Sequence, residues 1–329
     1  MADKTFSKDA LNLDYEKEVQ IITAQIQKLL GSFKRRGVVL GLSGGIDSSL
    51  SAALAVKAVG KDRVFGIHMP DCHSSADTLG FSQSISNHFG FDSAIEDITK
   101  ILEAVGCYSR QEKAIQMAIP EYGQGWKSKI VLENILTNQG FNYFSVVAQS
   151  PDGKMVKARL PLEAYLGVLA ATNFKQRVRK MMEYYYADRL NYAVAGTPNR
   201  LEYDQGFFVK LGDGAADFKP IAHLYKSQVY KMAEFLGVPE KNCKRTPTTD
   251  TYSLEQGQDE FYFSLPYEKL DLCLYAKNHG ITPATVAPVV GLTAEQVDKV
   301  FKDIDMKRYS TRYLHLKPQL VVPVDELSV

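Results

Sequence analysis

One stretch limits what this chain can fold into more than any other: Val38-Val39-Leu40-Gly41-Leu42-Ser43-Gly44-Gly45-Ile46-Asp47-Ser48-Ser49. A short apolar run, the signature of a buried strand, enters a glycine and serine turn, and Ser49–Val59 beyond it reads as a helix. Gly44 and Gly45 permit a tight turn that brings backbone N–H groups against an anion. Ser43, Ser48 and Ser49 add hydroxyl donors at a helix N-terminus. Asp47 is a candidate ligand for a magnesium ion. Such a turn is built to hold pyrophosphate. It lacks both the Gly-Lys-Ser/Thr ending of a Walker loop and the three-glycine dinucleotide fingerprint. A plain glycine turn after a buried strand would not call for three serines and an aspartate together.

The surrounding pattern predicts an α/β fold, a doubly wound parallel sheet, carried by a single domain over 1–329. Val19, Ile22, Ile26, Leu29 and Leu30 recur at helical spacing, and Lys34-Arg35-Arg36-Gly37 supplies stop signals, so an N-terminal helix is expected within 15–36. Val38–Leu42, Val64–Met69, Ser93–Ile98 and Asn191–Ala195 read as strands, with a helix at Thr78–Phe89. Ligands of such a sheet bind outside the carboxyl ends of its strands, where the Ser43–Ser49 loop falls. The alternation lapses across 108–165. There Phe141–Val147 and Met155–Leu160, joined through Ser150-Pro151-Asp152-Gly153, read as an inserted β-hairpin, either a surface decoration or a lid or dimer arm. The region 266–329 holds helices near Tyr267–Lys277, Pro283–Val289 and Ala294–Phe301, then a tail.

With 45% hydrophobic residues in 329 the chain can bury a large core. A formal charge of +1 offers no electrostatic case for nucleic acid, which favours small-molecule substrates. Cys72, Cys107, Cys243 and Cys273 are scattered, which suits reduced thiols better than a disulfide scaffold or zinc site. No run is long enough to span a bilayer and the start is polar, so a soluble, cytoplasmic protein is expected. Cys72-His73 with His68 lacks a fourth ligand and reads as structural rather than metal-binding.

Further motifs follow in order. Asn173-Phe174-Lys175-Gln176-Arg177-Val178-Arg179 opens a helix with Lys175 and Arg179 four apart, either a phosphate grip or a solvated basic face. Met181-Met182-Glu183-Tyr184-Tyr185-Tyr186 reads as packing. Gly196-Thr197-Pro198-Asn199-Arg200-Leu201-Glu202 is a turn at a strand's end, from which Glu202 could share a magnesium ion with Asp47. Phe208-Val209-Lys210-Leu211-Gly212-Asp213-Gly214 and Asp217 form a loop, and Pro220–Val229 begins a helix containing Lys226.

Taken together, Ser-Gly-Gly-x-Asp-Ser, Asn-x-Lys-x-Arg-x-Arg, Gly-Thr-x-Asn-x-x-Glu, Phe-x-Lys-x-Gly-Asp-Gly and Pro-Ile-x-x-Leu-Tyr-Lys-x-Gln-Val resemble the NAD synthetase family over about Tyr15 to Asp271. The resemblance implies the adenine nucleotide alpha-hydrolase-like fold and amidation of deamido-NAD with ATP, magnesium and ammonia, in a homodimer. It implies ATP contacts from Gly41, Leu42, Ser43, Gly44, Gly45, Ile46, Asp47, Ser48, Thr197, Lys226 and Thr248, and magnesium held by Asp47 and Glu202. Arg177, Lys210 and Asp217 would contact deamido-NAD, and Asp47, Glu202 and Lys226 would carry the catalysis. Pro198 and Arg200-Leu201 depart from the family's usual Gly-Thr-Gly-Asn-Lys-Ser-Glu. The family's His-Lys pair aligns with Arg312-Tyr313, or is displaced to His315 and Lys317. These departures lie on the acceptor side and leave a different carboxylate as the alternative substrate. No stretch remains for a glutaminase domain, so free ammonia is expected. A separate glutaminase subunit docking on Phe141–Leu160 is the other possibility.

Overall fold

A computed structural model describes residues 6–132, 144–245, 252–254, 262, 265–322 and 324 of the chain. It opens with α1 (Tyr15–Phe33), where the Lys17 N–H donates to the Asp14 side chain and Lys34 closes the last turn at φ 54°. The buried face of α1, Val19, Ile22, Ile26 and Leu30, packs on the first αβ layer. Alternation then proceeds through β1 (Val38–Gly41), α2 (Ile46–Val59), β2 (Val64–His68), α3 (Ala76–Phe89) and β3 (Asp92–Ile95). Two short helices, α4 (Thr99–Ala104) and α5 (Cys107–Gln116), lead to β4 (Lys127–Leu132), β5 (Phe144–Gln149) and β6 (Met155–Arg159). The long α6 (Leu162–Leu190) brings the chain back to β7 (Ala193–Val194) and α7 (Arg200–Gln205). After these come α8 (Lys226–Phe235), α9 (Glu240–Cys243), α10 (Tyr267–Asn278), α11 (Pro283–Val290) and α12 (Ala294–His315).

Among the described residues the main sheet is parallel throughout, in the order β3-β2-β1-β7. Val38 sits opposite Val64 on one side and Ala193 on the other. The chain therefore builds outward from β1 through β2 and β3, then crosses back to place β7 on the far side. That reversal makes the carboxyl end of β1 a topological switch point, where the connections diverge and leave a crevice. Side chains of β1 alternate: Val38 and Leu40 join the core under α1, α2 and α8, and Val39 joins the one under α4, α5 and α6. Both faces are covered, so the strand is apolar throughout. A further core forms among the C-terminal helices α10, α11 and α12.

Several boundaries differ from the sequence expectation. The helix after the glycine turn begins at Ile46 rather than Ser49, which puts Asp47 and Ser48 in its first turn. The expected hairpin is part of a three-stranded antiparallel sheet, β4-β5-β6, because Lys127–Leu132 pairs with β5. Phe141, Asn142 and Tyr143 of that expectation lie outside the described residues. The Asn173 segment does not open a helix; it lies in the middle of α6, which starts at Leu162. The helix expected from Pro220 starts only at Lys226, and the one expected to end at Phe301 continues to His315.

Candidate functional site

The glycine turn is held by its own serines. Ser48 Oγ donates to Gly45 O at 3.0 Å, Ser49 Oγ donates to the same carbonyl at 2.8 Å, and the Gly45 N–H donates to Ser43 Oγ at 3.2 Å. Gly44 has φ 71°, and a Cβ there would lie 2.7 Å from the Ser82 backbone nitrogen, so glycine is required twice over. Asn242 of α9, fully buried, donates to Gly44 O and Phe81 O and ties the turn to α3. Arg245 donates to Ser43 O at 2.9 Å and to Thr78 Oγ1 at 2.8 Å. Neither Asn242 nor Arg245 carries a sequence signal pointing to this loop, since both reach it from about 200 residues away. Ile46 is buried in the core.

Beside the turn stand the two expected carboxylates. Lys226, the first residue of α8, is 1% exposed, and its ammonium donates to Asp47 Oδ2. Asn199 Nδ2 donates to Asp47 Oδ1 at 2.9 Å. The same Asn199 caps α7: its Oδ1 accepts from the Leu201 and Glu202 N–H groups, while Glu202 Oε2 accepts from the Asn199 N–H at 3.0 Å. This capping box explains the Asn-x-x-Glu spacing and fixes Glu202 near Asp47. Burial, with Asp47 next in weight, pushes the Glu202 carboxyl up to about 8. Burial alone would lower the Lys226 ammonium, but Asp47 and Glu202 outweigh it and hold the charge on. Sequence expectation and structure agree in bringing Asp47, Glu202 and Lys226 together.

Lys226 is set in place from the C-terminal helices. Asp271 of α10, fully buried, accepts from the Lys226 N–H at 3.2 Å and the Ser227 N–H at 2.7 Å, so it caps the first turn of α8. Burial lifts its carboxyl to about 6 against the opposing pull of those donors. The folded chain thus binds this proton more tightly than the unfolded chain, and stability from this group falls as pH rises from about 4 to about 6. Asp271→Asn is expected to remove that slope, about 3 kcal/mol across the window, measured as urea denaturation of both proteins at several pH values. An unchanged slope in the variant would show that Asp271 is not the group responsible.

A cavity of about 720 Å³ opens above these residues. Its wall includes Gly41, Leu42, Ser43, Asp47, Ser48, Thr197 and Glu202 together with Arg177, Lys210 and Asp213. The Lys210 ammonium donates to Tyr313 O at 2.9 Å and lies 3.8 Å from that ring's centre. Arg177 Nε approaches Lys210 O at 3.4 Å. Of the C-terminal residues left open by the sequence, Tyr313 lines the cavity, and His315 stands edge-on to Tyr203 and Phe208. Asp217 is turned elsewhere, accepting from the Val194 N–H at 2.7 Å and Tyr184 Oη at 3.2 Å. Thr248 lies outside the described residues.

The basic cluster on α6 is neither a joint phosphate grip nor a solvated face. Lys175 is fully buried, with its ammonium 3.1 Å from both Asp71 Oδ1 and His73 Nδ1, and Arg179 bonds Asp71 Oδ2 at 3.1 Å. Asp71 therefore bonds two of the three cations, and Arg177 remains exposed at the cavity. His68 is packed in the core with Nδ1 2.9 Å from Ser82 Oγ, and no cluster of three or more metal-ligating side chains exists among the described residues. Lys180 and Glu183, an ion pair at 2.5 Å, also line the cavity, although the sequence around Glu183 reads as packing.

Comparison with known proteins bears on the whole chain. The model of the family described as NAD synthase matches residues 18–135 and 162–313. The NH(3)-dependent NAD(+) synthetase of Rhizobium meliloti (strain 1021) is 56% identical over 98% of this chain and 97% of its own. That of Methanocaldococcus jannaschii is 31% identical over 93% and 97%. Among solved structures, an NMN synthetase from Francisella tularensis superimposes with a TM-score of 0.65 at 20% identity, covering 95% of this chain and all (100%) of the other. The NH3-dependent NAD synthetase from Campylobacter jejuni does so with a TM-score of 0.61 at 22% identity, covering 94% and 100%. At these identities the two structures speak to the fold. Among the described residues no helix is long and apolar enough to cross a membrane.

Proposed function

The chain belongs to the NAD synthase family, and from that premise we propose that its cavity amidates the nicotinate carboxylate of deamido-NAD with ATP and ammonia, giving NAD, AMP and pyrophosphate. The observation that carries this reading is the convergence of Asp47, Glu202 and Lys226 beside a serine-lined glycine turn at the switch point of the sheet. A carboxylate does not react with ammonia directly, because oxide is too poor a leaving group. Its oxygen attacks the α-phosphorus of ATP, the bond to the β-phosphate oxygen breaks, and pyrophosphate leaves into the turn. Ammonia then adds to the acyl-adenylate carbonyl and AMP departs, with one proton released. Positioning and fixed charge supply the rate, and no side-chain nucleophile is called for.

Gly41 to Ser48 and Thr197 would hold the triphosphate, with backbone N–H groups of the turn aimed at its oxygens. Lys226 would move its ammonium from carboxylate to phosphate as negative charge arrives. Asp47 and Glu202 suit a magnesium ion: they are two hard oxygen donors from different elements, and the burial of Glu202 against Asp47 is a repulsion that a divalent cation relieves. When bound, the ion would neutralise charge on the leaving pyrophosphate. Arg177 and Lys210, both lining the cavity, would take the diphosphate of the acceptor, and Asp217, whose carboxylate accepts from the Val194 N–H and Tyr184 Oη, would support the site by holding its segment to β7 and α6. A homodimer in the cytoplasm is the setting in which we place the reaction, on the family resemblance.

The test is direct. Purified protein with ATP, magnesium, ammonium and deamido-NAD is expected to yield AMP and NAD in equal amounts, and glutamine in place of ammonium to yield neither. AMP release with another carboxylate and none with deamido-NAD would transfer the chemistry to that acceptor. Glu202→Gln, which keeps the length of the capping side chain, is expected to lower kcat roughly 100-fold and to raise the magnesium requirement. Wild-type magnesium dependence in this variant would remove Glu202 from the ion's coordination.

A further inference from the structure

The long helix α6 lines the cavity along one face, through Tyr165, Leu169, Thr172, Gln176, Lys180 and Glu183. These residues recur at steps of three or four, and the eighteen steps from first to last span about 27 Å. At one end Glu183 adjoins the glycine turn, since a Cβ on Gly41 would lie 2.8 Å from its Oε1. At the other end the inserted sheet closes the cavity. Phe144 of β5 and Tyr165 stack with ring centres 4.1 Å apart and planes 8° from parallel, and both rings line the cavity while remaining half-buried. Tyr252 also contributes to this wall. Between the two ends come Arg177 and Lys210, the cations suited to a diphosphate.

The order along the helix is thus nucleotide turn, cations, then flat aromatic surface. A molecule made of two nucleosides joined by a diphosphate has the same order of parts. Phe144 lies within the interval 136–161 that the family model leaves unmatched, whereas Tyr165 and Tyr252 lie within the matched 162–313, so it is the Phe144 half of the stack that the insertion adds. We propose that the Phe144–Tyr165 stack binds the distal base of a dinucleotide acceptor, and that the insertion thereby selects a dinucleotide over the mononucleotide half carrying the same reacting carboxylate. This rests on the amidation reading above. Aromatic rings accept the face of any base without needing hydrogen-bond partners, and the half-buried stack offers such a face a flat apolar platform.

The experiment compares wild type with Phe144→Leu, Tyr165→Leu and Phe144→Trp. The readouts are the KM for deamido-NAD, the KM for ATP, and the interaction of nicotinate mononucleotide as acceptor or as competitive inhibitor. Each leucine variant is expected to raise the KM for deamido-NAD about tenfold or more. The KM for ATP and the constant for the mononucleotide should not change, and tryptophan should retain the wild-type preference. The unchanged ATP constant also certifies the fold of each variant. Equal losses for dinucleotide and mononucleotide, or no loss for either, would overturn the subsite while leaving the amidation reading standing. A wild-type protein inert toward deamido-NAD would overturn both.

Discussion

Asp47→Asn is expected to abolish ATP–pyrophosphate exchange, by about 1,000-fold or more, in a protein that remains folded. The reason lies in how three charges share one site. Asp47 carries the bond to the buried Lys226 ammonium and a second bond to Asn199. Removing one member of a buried ion pair ordinarily costs about 3–5 kcal/mol, because the other charge is stranded. Here Glu202 stands by, with its carboxyl held up to about 8 by burial and by Asp47 itself. Once Asp47 is neutral, that repulsion is gone and the Glu202 carboxyl comes down from its raised value, so the charge of Lys226 is met in part by a second carboxyl. The asparagine side chain can still accept from Asn199. Most of the stability is therefore kept, while the carboxylate pair proposed for a divalent ion is lost. Isotope exchange between ATP and pyrophosphate, with thermal denaturation as the control, checks both halves. Exchange near the wild-type rate would remove Asp47 from the nucleotide chemistry.

Lys226→Met is the second large effect, with kcat for amidation expected to fall on the order of 100-fold to 1,000-fold. Methionine fills the space of the alkyl chain and removes only the ammonium, which lies 5.5 Å from the Tyr267 ring centre and 5.9 Å from that of Tyr230. The fold tolerates this change because the Asp47 side chain, 17% exposed, can be solvated once the ammonium is gone, whereas the Lys226 side chain is 1% exposed. Without the cation, Asp47 and Glu202 face each other unrelieved, and the Glu202 carboxyl holds its proton to still higher pH. Burst measurements of AMP formation separate the two steps of the reaction. A variant that forms adenylate at the normal rate and slows only in the ammonia step would reassign the lysine to that step.

Local pattern made the nucleotide end of the site legible. The strand read at Val38–Leu42 and the glycine turn at Gly44 depend on neighbours within a few residues, and both are seen in the structure, where the turn expected at Gly196–Glu202 also proves to hold an Asn199–Glu202 capping box. The start of α6 was not legible. Leu162–Thr172 is packed between the inserted sheet and α5, so its apolar positions do not keep to one stripe and the helical period is lost. β4 escaped for a related reason, since Lys127 pairs with Gln149 across a long connection. The roles of Lys175 and Asp271 were equally hidden. A lysine four residues from an arginine looks solvated until Asp71, 104 residues away, is placed against it. Nothing near Asp271 in the chain suggests a helix cap 45 residues upstream.

By itself the sequence determined the strand, turn and first helix, the chemical types at the site and the family they resemble, because those features are written in short-range dihedral and hydrogen-bonding preferences. Only the tertiary structure decided which cations line the cavity and which meet Asp71. It alone brought Lys226 under Asp47 by way of a cap on another helix, and it alone set the inserted sheet at the end of the cavity. Charges and rings far apart in the chain acquire their roles from burial and from the partner each one finds, and neither exists until the chain has folded.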